Sequence, residues 1–134
     1  MPYWFIALYL LHIGAGLYWM GSSFLVAQAR GKGAEAQFRP QMIAAGLTIA
    51  LGLFLWRRMH PAGLGKMEGM LGLGAAFALA AAGVQGALVG GSLRRLRKGL
   101  IAEDRARIRI RLGYRVGAAF LAVALLSMVG SYHV

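Results

Sequence analysis

The sequence predicts an all-α fold, an integral membrane four-helix transmembrane bundle, and two observations predict it. Of 134 residues, 59% are hydrophobic and only 14% are charged, too few polar side chains to clothe a soluble domain of this size. The charges also fall in short clusters between long uncharged runs, the pattern of a chain that crosses a bilayer several times. Residues 1–134 read as a single transmembrane domain, with helices at about 3–28, 40–56, 67–93 and 112–133.

Met1 to Ala29 carries no charge, ample length for the roughly 20 residues of a membrane span. Pro2, Tyr3, Trp4 and Tyr9 open it as an interfacial aromatic belt. Ala27-Gln28-Ala29 resembles a signal-peptide cleavage site, yet no basic residue precedes the apolar run and the run exceeds a signal core. The segment is therefore read as a retained first helix. A polar, glycine-containing connection follows at 30–39, and Pro40 suits the first turn of the second helix, where its missing N–H costs nothing. Arg57, Arg58, His60, Pro61, Gly63, Gly65 and Lys66 form a turn before the third span. The basic segment 94–111 is partly helical and extends the third and fourth spans beyond the lipid. Small residues recur through the spans, as in the stretch 72–83, and let helices approach closely.

Fifteen basic residues against four acidic ones give a formal charge of +11. Because the bases flank apolar spans, they speak for anionic lipid head groups at 94–111 and against nucleic acid. The connections 30–39 and 94–111 carry three and eight of them, and the 57–66 turn carries three. The positive-inside rule then puts both termini and the 57–66 turn outside, in a multi-pass protein of the cytoplasmic (inner) membrane. No cysteine is present, which removes disulfides and thiolate ligands.

His12 is the most informative residue. It lies about nine residues, or roughly 14 Å, into the first helix, where an ionisable side chain is either bonded to a partner or functional. Gly16, Trp19 and Ser23 share its helical face. The functional reading makes His12 an axial haem ligand or a proton-handling group, with Gly16 and Trp19 shaping the pocket. The structural reading makes it a neutral imidazole bonded to Ser, Thr or a backbone carbonyl. Depth argues against His133 as a second axial ligand, since an offset of about 10 Å would have to vanish. Met128, about 9 Å below the end of its helix, lies nearer the level of His12.

Met59, His60, Met67, Glu68 and Met70 form a second cluster, with Met128 and His133 on the last helix. Thioether and imidazole ligands suit copper(I), although methionine is also a common filler of apolar gaps and Glu68 a common partner for a helix N-terminus. Gln85 and Thr48, polar residues within spans, are explained by hydrogen bonds between helices. Arg115 can snorkel to the inner interface. No phosphate loop, His-Glu-x-x-His motif, nucleophile elbow or pair of carboxylates is present.

The first helix, Leu11-His12-Ile-Gly-Ala-Gly16-Leu-Tyr-Trp19-Met-Gly21-Ser-Ser-Phe-Leu25, resembles the opening span of the CopD-like and HemJ-like small membrane proteins, with a histidine followed by a Trp-x-Gly step. The second span, 44–53, is similar to their glycine-containing second helix, and Lys66 stands where HemJ-type protoporphyrinogen oxidases often carry a lysine. The likeness covers about the first half of the chain. It implies a four-helix bundle with haem b or copper near His12 and points more weakly to Lys66. The closing Asn-Glu-x-Pro stretch of the HemJ type is absent, the chain ending at Ser127-Met-Val-Gly-Ser-Tyr-His-Val134, which turns the likeness toward the CopD side.

These readings lead to a haem-b-binding membrane protein for electron transfer or for haem or copper handling, with His12 as iron ligand. An enzyme of this kind would be a haem-dependent oxidoreductase. The first alternative is a non-catalytic accessory subunit of a larger membrane complex, or a homo-oligomer. The second is a copper-binding or copper-transport protein using Met59, His60, Met67 and Met70.

Overall fold

A computed structural model of the chain describes residues 2–60 and 65–133; residues 61–64 of the expected turn, Met1 and Val134 lie outside the described residues. Every regular element among them is helical: α1 (Tyr3–Gln28), α2 (Ala34–Met59), α3 (Lys66–Val84), a π-helical stretch (Gln85–Gly90), α4 (Gly91–Arg97), α5 (Glu103–Gly130) and a 3-10 turn (Ser131–His133). α3, the π stretch and α4 run on as one rod, Lys66–Arg97, so that four helical rods are long and apolar enough to cross a membrane.

Two helices start earlier than hydropathy predicts. α2 begins at Ala34, so Pro40 lies inside it and not in its first turn. Gly33, at φ 84°, ends the connection, and the Ala-Glu-Ala-Gln that follows favours helix well before the chain turns apolar. Pro40 deprives the Ala36 carbonyl of its helical donor. α5 begins at Glu103, with Glu103 and Asp104 in the first turn, where carboxylates complement the helix dipole. Only residues 98–102 remain as a connection within the basic segment.

The ends of α1 and α4 share one hydrogen-bonding scheme. Gly31 N–H donates to the Val26 carbonyl at 2.8 Å and Arg30 N–H to Ala27; Leu100 N–H donates to Arg95 at 2.8 Å and Gly99 N–H to Leu96. These paired bonds close a helix through one left-handed residue. At α4 that residue is Gly99, at φ 69°, but at α1 it is Arg30, at φ 57°.

The rods associate chiefly as two antiparallel pairs, α1 with α2 and α3 with α5, and α1 also meets α5. Glycines set the closest approaches. A Cβ on Gly113 would lie 2.8 Å from Val89, and one on Gly117 would lie 2.8 Å from Gln85, so α5 seats the π stretch on two bare positions. Toward the other end, Met128 rests on Gly74 and Met70 on Gly130. Small and large apolar residues interleave in the core, with Trp19 buried among Ala44, Ala45, Ala78, Ala81 and Leu121.

Candidate functional site

His12 is half-buried at the α1–α2 crossing. Its Nδ1–H donates to the Thr48 carbonyl at 2.8 Å, which leaves Nε2 as the lone-pair nitrogen of the neutral ring. Among the described residues Nε2 has no hydrogen-bond partner. The ring lies against Gly52, where an added Cβ would stand 2.9 Å from Cε1; the missing side chain makes the notch that admits the imidazole. The Thr48 hydroxyl turns back to the Ala44 carbonyl of its own helix at 2.7 Å, so its bond is not the interhelical one expected. Such i–4 bonding is a common way to satisfy a helical hydroxyl.

Trp19 and Gly16 share the face of His12 but are engaged elsewhere. A Cβ on Gly16 would meet the Thr48 methyl at 3.4 Å, so ordinary packing already fills that space. Trp19 is only 1% exposed, and its indole N–H donates to Gln85 Oε1 at 2.8 Å. The Gln85 amide donates to Ser23 Oγ at 2.9 Å, fulfilling the expected interhelical role of Gln85. Beside it, Tyr114 donates to Gln41 Oε1 at 2.5 Å, and the Gln41 amide donates to Ser22 at 3.1 Å. Two polar chains thus tie α1 to the π stretch and to α2 and α5. Ser22, Gln41 and Tyr114 escape the sequence reading, which has Ser23 only as a neighbour on the face of His12; the one available signal is that each is a polar group within an apolar stretch.

At the opposite end, His60 Nδ1–H donates to Glu68 Oε1 at 2.9 Å, and Glu68 Oε2 accepts from Gly65 N–H at 2.9 Å. Glu68 therefore caps α3 and ties it to the end of α2. Met59 is 41% exposed, Met67 is half-buried and Lys66 exposed, and Met70 and Met128 sit on the glycines described above. His133 is exposed in the 3-10 turn. Among the described residues no group of three or more His, Asp and Glu side chains is placed to share a metal ion. Tyr9 and Tyr132 bring their hydroxyls to 3.0 Å. At the basic end, Arg107 pairs with Glu35 and lies 4.0 Å from Glu103.

The residues proposed for haem fit it in one respect. A backbone carbonyl that fixes Nδ1–H is a usual outer partner of a metal-binding imidazole, presenting Nε2 to the metal. Gly16, Trp19 and Met128 make other contacts here: the Thr48 methyl packs beside Gly16, Gln85 holds the Trp19 indole, and Met128 lies on Gly74. The open feature on this side is a shallow apolar groove of about 580 Å³ between α1 and α2, lined by Leu11, Gly14, Ala15, Ile43 and Leu47 among others, with Arg39 at one end. No protein family, no curated protein and no solved structure matches the chain in comparisons with known proteins.

Proposed function

We propose that this chain is a non-catalytic accessory subunit of a larger membrane assembly, acting through its outer faces. The observation that carries the proposal is that polar side chains within the spans bond across helices: His12 Nδ1 to the Thr48 carbonyl, Trp19 to Gln85 and Gln85 to Ser23, Tyr114 to Gln41 and Gln41 to Ser22. Such bonds stabilise a bundle and specify its register. The groove between α1 and α2 supports the same reading, since a bare Gly14 with nothing within 4 Å leaves room for another helix to approach closely. The charge distribution favours insertion in the inner membrane with both termini outside.

Extraction of native membranes in mild detergent, followed by native electrophoresis, tests the reading. The wild-type chain is expected in an assembly well above its own 14.3 kDa. Gly14→Leu is expected to release it with unchanged helix content. A wild-type chain that runs alone in mild detergent overturns the proposal.

The second reading is haem b bound through His12, with CopD-like electron transfer or haem handling. Its support is the unpartnered Nε2 on an imidazole whose tautomer is fixed, at a depth where polar atoms need partners. A Soret band in the purified protein that vanishes in His12→Ala would favour it over the first. Copper bound through the outer methionines is a third proposal, tested by metal analysis of the same sample.

A further inference from the structure

We propose that the corner between α4 and α5 is a binding site for one anionic phospholipid. A cleft of about 320 Å³ opens there, lined by Arg95, Leu100, Ile101, Arg105, Ile108 and Arg109. Arg105 and Arg109 lie one turn apart on α5 and so share a face, and Arg95 faces them from α4. None of the three makes an ion pair among the described residues; Glu35 and Glu103 engage Arg107 instead. Three guanidiniums around one cleft form a site for a phosphate, which their planar forks bind with directed hydrogen bonds.

The apolar half of the lining selects the source of that phosphate. Leu100 is 72% exposed and Ile108 62% exposed, both immediately beside the arginines. The left-handed turn at Gly99 and the bond from Leu100 N–H to Arg95 fix this corner, so Leu100 is held outward by the backbone. Branched aliphatic side chains standing in the open beside cationic groups match an amphiphile whose phosphate meets the arginines and whose acyl chains meet the isoleucines and leucine. An acidic peptide or free phosphate would use the charges and leave the apolar side chains in water. The cleft lies at the end of the bundle where eight basic residues cluster, the end the charge rule places at the inner head groups.

The test uses the full chain purified in a neutral detergent and analysed by native mass spectrometry with added phosphatidylglycerol, phosphatidylcholine or inorganic phosphate. One phosphatidylglycerol is expected to stay bound with about ten-fold preference over phosphatidylcholine. Arg95→Gln/Arg105→Gln/Arg109→Gln is expected to abolish that preference, whereas Arg57→Gln/Arg58→Gln at the other end leaves it. Leu100→Gln/Ile108→Gln, which keeps every charge, is expected to weaken phosphatidylglycerol binding several-fold. All replaced side chains are exposed, and circular dichroism verifies that each variant folds. Equal binding of both lipids, retention by the triple variant, indifference to the apolar variant, or displacement by millimolar phosphate or by an acidic peptide overturns the proposal.

Discussion

The indole N–H of Trp19 meets the side-chain oxygen of Gln85 at 2.8 Å, at the residue where α3 changes to its π stretch. Gln85 passes the contact on to Ser23 through its amide, so one side chain satisfies two groups of α1. Its aliphatic stem lies over the bare Gly117 of α5. A π turn adds a residue to the helix and displaces the side chains it carries, and here the displaced stretch is the one that reaches both α1 and α5.

That arrangement predicts strong coupling between Trp19 and Gln85. In a double-mutant cycle of Trp19→Phe and Gln85→Leu, the coupling is expected at about 0.6–2 kcal/mol. The single Gln85→Leu change is expected to cost more than the double, because it leaves the indole N–H without an acceptor. Reversible unfolding in detergent micelles measures both quantities.

Glycines at close approaches and glycines on open faces should answer oppositely to the same substitution. Gly117→Ala places a methyl 2.8 Å from both Cγ and Nε2 of Gln85; Cγ is near the root of the side chain and cannot swing aside. A loss of about 1–3 kcal/mol is expected. Gly14→Ala meets nothing within 4 Å and is expected to raise stability by up to about 1 kcal/mol through helix propensity. Thermal unfolding of the two variants in one detergent decides the comparison.

The sequence exposes some of this and hides the rest for identifiable reasons. Uncharged runs reveal four apolar stretches because hydropathy is a property of consecutive residues. Helix starts at Ala34 and Glu103 are displaced from the apolar boundaries because a helix continues through polar residues that hydropathy assigns to connections. Depth alone singles out His12 and Gln85. The partner of His12 is invisible, since it is a main-chain oxygen of Thr48 and every residue carries one. The pairing of Ser22 with Gln41 and of Gln41 with Tyr114 depends on the register between helices, which no local pattern encodes. Hydropathy is equally silent on the π stretch, because Gln85–Gly90 continues the apolar character of α3 before it.

Arg30 is a non-glycine residue at φ 57°, closing α1 with the scheme that Gly99 uses at the end of α4. Left-handed backbone costs an ordinary L-residue about 1–2 kcal/mol, part of which is offset by the greater freedom glycine has when unfolded. Arg30→Gly is therefore expected to stabilise the chain by about 0.5–1 kcal/mol, read as a higher unfolding midpoint. Arg30→Val, branched at Cβ, is expected to lower it.

Gly52 controls the orientation of His12. A methyl group there would stand 2.9 Å from Cε1, so in Gly52→Ala the imidazole has to turn out of its notch and give up the bond to Thr48. Loss of that bond removes the restraint that keeps the proton on Nδ1, and the ring is expected to populate both neutral tautomers. Nitrogen-15 NMR of labelled imidazole in a lipid bilayer distinguishes the two. The wild-type chain is expected to show a protonated Nδ1 and a bare Nε2, and Gly52→Ala a mixture. If the wild-type ring already exchanges freely between tautomers, the Thr48 carbonyl does not fix it, and Nε2 loses the orientation on which the haem reading depends.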